Sequence, residues 1–309
     1  MDNNYTISAA SRLSGVSELV IRAWETRYNV VKPERTDSNR RLYSEEDINK
    51  LSILGKLTKT GHRIGAIGNL SLEELIRMDS LASGVKSVSD DGNIYCVRVI
   101  NECIDSIRHF DNRKLEKLLF QSSVELSHPH LMEKIVIPIM EQIGDFWRDG
   151  IFKVSHEHFA SAIIKKFLNN LSDSYNIDEN APKIIVTTPQ GQLHEVGALI
   201  GLSYAAAEGW RVIYLGPSLP AEDIIGVANE TNSIAIYLSM VYPSDDPKLA
   251  TELRKFSRVS NKMSLFVAGN AAGGYMDILQ EINAKIINDS DQFRNLLVSI
   301  RKGKNQDEK

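Results

Sequence analysis

A histidine in a loop between an apolar run and a small-residue helix is the residue in this chain best placed to do chemistry. Ile184-Ile185-Val186-Thr187-Thr188 reads as a buried parallel strand, and Gln192-Leu193-His194-Glu195-Val196-Gly197 carries the chain from it into a helix. An imidazole at the carboxyl edge of a parallel sheet stands where open α/β folds bind ligands, and its neutral form is a metal donor. Gly197, Ala198 and Gly201, followed by Ala205, Ala206 and Ala207, keep that helix slender. Small side chains there either part around a thin ligand or simply allow close packing. Ser239 and the Ala268-Gly269 pair end two further apolar runs, so they fall on the same edge. A lone loop histidine is more often structural than a ligand, and these neighbours raise its standing.

A second set of chemistry-bearing residues lies near the N-terminus. Between positions 20 and 41 there are six basic residues (Arg22, Arg27, Lys32, Arg35, Arg40, Arg41) against three acidic ones (Glu25, Glu34, Asp37). The local excess fits phosphate contact, and a charged surface that binds protein explains it equally well. The whole chain of 309 residues carries a net charge of −4, which argues against a uniformly basic nucleic-acid binder but allows a small basic module. Apolar content of 42% and charged content of 25% are those of a globular protein. No segment reads as a signal peptide or a membrane span, so a cytoplasmic location and no membrane partner are expected. Cys96 and Cys103 sit seven apart in a helical pattern and read as buried thiols.

The elements that must position these residues fall into three parts. Residues 1–78 hold short helices separated by turn signals. Thr6 can cap a helix that closes at Gly15, Ser17 can cap a second from Glu18 to Arg27, and Ser44 with Asp47 has capping-box spacing. Helix, glycine turn and helix at this length is helix-turn-helix geometry. Residues 79–92 are small and polar and read as a linker. Residues 93–178 show four helical stretches, 93–109, 112–126, 129–149 and 155–175, which suggest an antiparallel four-helix bundle. From 179 to 303, apolar runs at 183–188, 211–215, 233–240, 264–269 and 284–288 alternate with helical patterns, the rhythm of an α/β doubly wound parallel sheet. Residues 304–309 read as a charged, frayed tail. The fold class expected is therefore multidomain: an all-α winged helix-turn-helix, a four-helix bundle and a Rossmann-like sheet.

Residue order carries resemblances beyond pattern. Ile21-Arg22-Ala23-Trp24-Glu25-Thr26-Arg27-Tyr28, Lys32-Pro33-Glu34-Arg35-Thr36 and Arg41-Leu42-Tyr43-Ser44 resemble the MerR family of winged-helix regulators across 5–78. The resemblance implies that the second helix enters the major groove while the wing grips the backbone. Arg22, Arg27, Arg35, Arg40, Arg41 and Tyr43 are then the DNA-contact set. Where MerR proteins continue into a long dimerising helix, Leu70-Ser71-Leu72-Glu73-Glu74-Leu75 offers only a short one, so self-association is expected in the C-terminal part.

Residues 93–303 are similar to the cobalamin-binding module of methionine synthase and its relatives, whose fingerprint is Asp-x-His-x-x-Gly, Ser-x-Leu and Gly-Gly. Here Gln192, Val241 and Ala268 stand in place of the Asp, the Leu and the first Gly. The resemblance implies that His194 ligates cobalt, that Gln192 offers its amide carbonyl to the second imidazole nitrogen, and that Gly197, Ser239 and Gly269 line the cofactor. Trp147, with nine residues between it and Glu157-His158, resembles the CarH and LitR light-responsive repressors, which share the three-part layout. There the tryptophan and the Glu-His pair cap the upper face of adenosylcobalamin. Arg148 is a departure: it follows Trp147 where those photoreceptors carry a cobalt-capturing histidine, and a guanidinium cannot ligate. His156 or His158 is left as a substitute.

These resemblances imply a cobalamin-dependent transcriptional regulator, not an enzyme, that binds operator DNA as a homo-oligomer and responds to light through adenosylcobalamin. Two alternatives remain at this stage: a regulator sensing cobalamin level or redox state without light, and a corrinoid methyl carrier.

Overall fold

The computed structural model describes residues 5–36, 39–82, 90–242 and 246–307. The chain forms two compact units, Met1–Asn176 and Ile177–Lys309.

In the first unit, the Thr6 hydroxyl accepts from the Ala9 N–H at 3.3 Å and starts α1 (Ile7–Ser14). Gly15 closes it at φ +70°, a left-handed conformation that glycine adopts without steric cost. Ser17 caps α2 (Glu18–Tyr28), and β1 (Glu34–Arg35) pairs antiparallel with β2 (Arg41–Leu42) as a small wing. The Ser44–Asp47 capping box starts α3 (Glu45–Lys59), followed by α4 (Ile64–Ile67) and α5 (Leu72–Ala82). Ile21, Trp24, Leu51, Leu54, Leu57 and Ile64 form the buried centre of this part.

The bundle consists of α6 (Asp90–Arg108), α7 (Asn112–Glu125), α8 (His128–Leu131), α9 (Ile137–Arg148) and α10 (Val154–Asp173). A π-turn over Met132–Val136 joins α8 to α9, so the two make one interrupted helix. Pro138, which has no N–H to give an i−4 carbonyl, stands just beyond that widened turn.

Two expectations are corrected here. The reading of 79–92 as a linker is too broad: α5 runs through Ala82 and α6 begins at Asp90, while 83–89 lie outside the described residues. The short helix anticipated at 70–75 is α5, started by a capping box in which Ser71 and Glu74 exchange bonds at 2.8 and 3.2 Å. The winged module also packs on the bundle within one compact unit. The Trp24 indole N–H donates to the Val124 carbonyl at 2.8 Å, the Tyr28 hydroxyl donates to Glu125, and Arg63 pairs with Glu125 at 3.6 Å. Helix α2 is thus bonded to the end of bundle helix α7.

The second unit contains β3 (Lys183–Thr187), α11 (Val196–Ala207), β4 (Arg211–Tyr214), α12 (Ala221–Glu230), β5 (Ala235–Ser239), α13 (Pro247–Arg254), β6 (Ser264–Ala268), α14 (Met276–Glu281), β7 (Lys285–Ile287) and α15 (Ser290–Asp307). All five strands are parallel in the order β4-β3-β5-β6-β7. The central strands are apolar in their middles because helices cover both faces; every residue of β5 is buried. Strand order reverses between β3 and β5, which opens a crevice at their carboxyl ends. The frayed tail is also corrected, since α15 continues through Asp307; 308–309 lie outside the described residues. Among the described residues, no helix is long and apolar enough to cross a membrane.

Candidate functional site

The switch point between β3 and β5 is where the sequence places its fingerprint residues. His194 lies in the loop from β3 to α11 with its side chain exposed, Gly197 is in the first turn of α11, and Ser239 is the last residue of β5. A Cβ on Gly197 would meet the Ser239 hydroxyl at 2.5 Å, so glycine is what lets α11 approach β5 this closely. Gly269 follows β6 at φ +104°, and a Cβ there would lie 2.1 Å from the Met240 carbonyl. The structure brings Gln192, His194, Gly197, Ser239 and Gly269 to one edge.

The loop around His194 is tied down from several sides. The Thr188 hydroxyl donates to the Gln192 carbonyl and accepts from the Ser218 N–H at 2.8 Å. The Ser218 hydroxyl accepts from the Gly191 N–H at 3.1 Å. The Tyr214 hydroxyl donates to Glu195, and burial together with that carboxylate pushes the phenol pKa up.

Gln192 departs from expectation. Its side-chain oxygen accepts from the backbone N–H groups of Val241 at 2.7 Å and Tyr242 at 3.0 Å, so the amide carbonyl is not offered to His194. Gln192 is buried, and its Nε2 has no partner among the described residues. Sequence reasoning missed Leu193 and Tyr242, exposed apolar residues beside His194 at 72% and 62%. The Tyr242 ring meets the imidazole edge to face, with centroids 5.8 Å apart and planes at 65°. An aromatic residue three positions after the end of β5 was the available signal.

In the bundle, the last turn of α9 exposes Trp147 while Phe146 turns inward onto Phe152 with centroids 5.2 Å apart. Glu157 accepts from the Ser161 hydroxyl at 2.8 Å and lies 3.5 Å from the exposed His158 ring. Arg148 is solvent-exposed and pairs with Asp145 at 3.1 Å. His156 is stacked between Phe110 and Phe152 at 4.6 and 4.7 Å, and its Nδ1 accepts from the Lys153 N–H at 3.0 Å. That bond fixes the proton on Nε2 and removes His156 as a substitute metal ligand; His158 is unconstrained in this way.

In the winged module, Arg22, Arg27, Arg35 and Arg40 are exposed. Arg27 leans over the Phe120 ring of α7 at 5.8 Å. Tyr43 is corrected: it is fully buried, with its hydroxyl facing Glu25 at 3.4 Å, so it supports the wing from within and does not reach DNA. Arg41 is half-buried and holds both Glu25 oxygens through Nε at 2.7 and 3.1 Å, which makes it a brace between wing and α2.

Two family models match within the first unit, one on the winged module and one on the bundle. Residues 5–73 match the family model described as MerR HTH family regulatory protein, and residues 99–172 match the B12 binding domain. The chain is 26% identical to the HTH-type transcriptional repressor CarH of Myxococcus xanthus over 72% of this chain and 74% of that one. It is 22% identical to the repressor CarA of the same organism over 97% and 98% of the two chains. Among solved structures, the monomethylamine corrinoid protein of Methanosarcina barkeri shares the fold at 12% identity and a TM-score of 0.50, over 66% of this chain and 98% of that one.

Proposed function

We propose that this chain, a homologue of the CarH and CarA repressors with a MerR-type helix-turn-helix and a B12-binding domain, is a transcriptional regulator whose operator affinity depends on a corrinoid bound through His194. The observation that carries the reading is the exposed imidazole at the β3–β5 switch point, flanked by exposed Leu193 and Tyr242. An apolar rim around one nitrogen donor suits a large flat macrocycle with a metal at its centre. The buried Gln192 Nε2, without a partner among the described residues, and the Gly197 notch against Ser239 are further features that fit a ligand at this edge. When bound, a corrinoid would supply a cobalt centre able to carry an organic upper ligand, and the residues of the chain would hold, orient and shield it.

The finer reading is that the cofactor is adenosylcobalamin and that illumination releases the operator. Trp147, Glu157 and His158 are the bundle residues assigned to it, on their resemblance to the light-responsive repressors. Arg22, Arg27, Arg35 and Arg40 are assigned to DNA, and paired copies joined through their C-terminal parts to a two-fold operator. The bond from Trp24 to Val124 supports coupling, because it ties the DNA-reading helix directly to the bundle. Gel shift of an operator fragment with adenosylcobalamin, in darkness and after green light, tests this. Release on illumination is expected, and unchanged binding removes the light response.

A second reading is a cobalamin-level sensor indifferent to light. The observation favouring it is Arg148, an ion-paired cation where the photoreceptors carry a ligating histidine. Absorbance spectra of the loaded protein before and after illumination separate the two.

A further inference from the structure

The imidazole of His194 needs something to orient it, and the residue expected to do so is engaged elsewhere. A histidine that ligates through one nitrogen carries its proton on the other and must find an acceptor or a steric wall there. Gln192 presents no acceptor to it, because both backbone N–H groups of Val241 and Tyr242 converge on its only side-chain oxygen. Flipping the amide would aim two N–H groups at two N–H groups, so the orientation is fixed by its partners. What remains of Gln192 is a donor, and a donor cannot receive the imidazole proton.

The same two bonds have another consequence. They fasten the start of the segment after β5 to the His194 loop, and they hold Tyr242 with its ring edge to face against the imidazole. Tyr242 is mostly exposed, so the contact is not a by-product of burial in the core.

Resting on the corrinoid reading above, we propose that Gln192 is a loop clamp and that Tyr242, through its ring rather than its hydroxyl, is the residue that positions the His194 imidazole for ligation. The chain thus replaces a hydrogen-bonded partner of the histidine with an aromatic wall held by a buried amide. Among the described residues no acceptor meets the imidazole's second nitrogen, and the strength of its bond to a metal depends on ring packing.

The test uses full-length protein titrated with adenosylcobalamin in the dark, with the visible spectrum reporting imidazole ligation and with affinity measured in parallel. Tyr242→Phe keeps the ring and is expected to match wild type in both. Tyr242→Ala is expected to weaken affinity by ~10-fold and to shift the spectrum toward the form without imidazole, the size of effect that loss of a ligand-orienting neighbour produces. Gln192→Glu, which keeps an acceptor for both N–H groups, is expected to retain ligation better than Gln192→Leu. If Tyr242→Ala ligates like wild type, or if Tyr242→Phe fails as Tyr242→Ala does, the assignment of the ring is wrong while the His194 reading stands. If wild type takes up no corrinoid, both fall together.

Discussion

Gly269 and Gly191 both sit at positive φ, +104° and +89°, yet they carry different loads. A methyl on Gly269 would strike the Met240 carbonyl at 2.1 Å, whereas no atom of the described residues lies within 4 Å of one on Gly191. Gly269→Ala must therefore shift backbone at the strand edge as well as strain its own dihedral, and we expect a loss of about 2–4 kcal/mol in urea unfolding. Gly191→Ala should lose roughly 1–2 kcal/mol, the dihedral cost alone. Equal losses would show that the close approach to Met240 relaxes freely. The residues misread from sequence share one cause. The polar types of Gln192 and Tyr43 announced that hydrogen bonds would be made, and the partners came from elsewhere: Val241 and Tyr242 for the first, Glu25 for the second. His194, Gly197, Ser239 and Gly269 were legible because a position at a strand end depends on the alternation of apolar runs, which local sequence encodes.

At the scale of elements, caps and apolar periods were enough to find nearly every helix and strand. Thr6, Ser17 and Ser44 start helices where their side chains imply. The π-turn at Met132–Val136 and the contact between α2 and α7 were not legible, since each depends on what packs alongside and not on the local period. That contact has a measurable energy. Trp24→Phe keeps a ring in the buried site but removes the indole N–H and leaves the Val124 carbonyl without its donor. The expected cost is about 1–3 kcal/mol in unfolding of the full chain. Glu125→Ala, which strips partners from Tyr28 and Arg63 on the same seam, should be destabilising in the same range. Because the two changes meet on one helix pair, the double variant should lose less than the sum of the singles. Simple additivity would mean that α2 does not rest on α7 as a unit.

Across the whole molecule, both units bury groups that must keep their protons. Burial first, and then the Glu125 carboxylate, pushes the Tyr28 phenol up in the first unit; burial does the same for Tyr43 there and for Tyr237 in the second unit, as it does for Tyr214. Burial takes the Cys103 thiol from its ordinary 9.0 to about 12 and raises that of Cys96 as well. Each folded-state value lies above its unfolded one, so between the two the unfolded chain releases protons that the folded chain retains. By linkage, stability is at its full value below the unfolded values and falls as pH rises through the window above 9.0 for the thiol and 10.0 for the phenols. Urea midpoints should hold steady up to about pH 8 and drop by about pH 10, with fluorescence from Trp24 and Trp210 following the two units separately. The thiols give an independent reading of the same cause. A thiolate-selective alkylating reagent at about pH 8 should leave Cys103 untouched in the native protein and modify it at once in urea, because the thiolate is both disfavoured and enclosed. Prompt alkylation of the native protein, or a flat stability profile into the alkaline range, would mean that the interior opens to solvent far more readily than this packing allows.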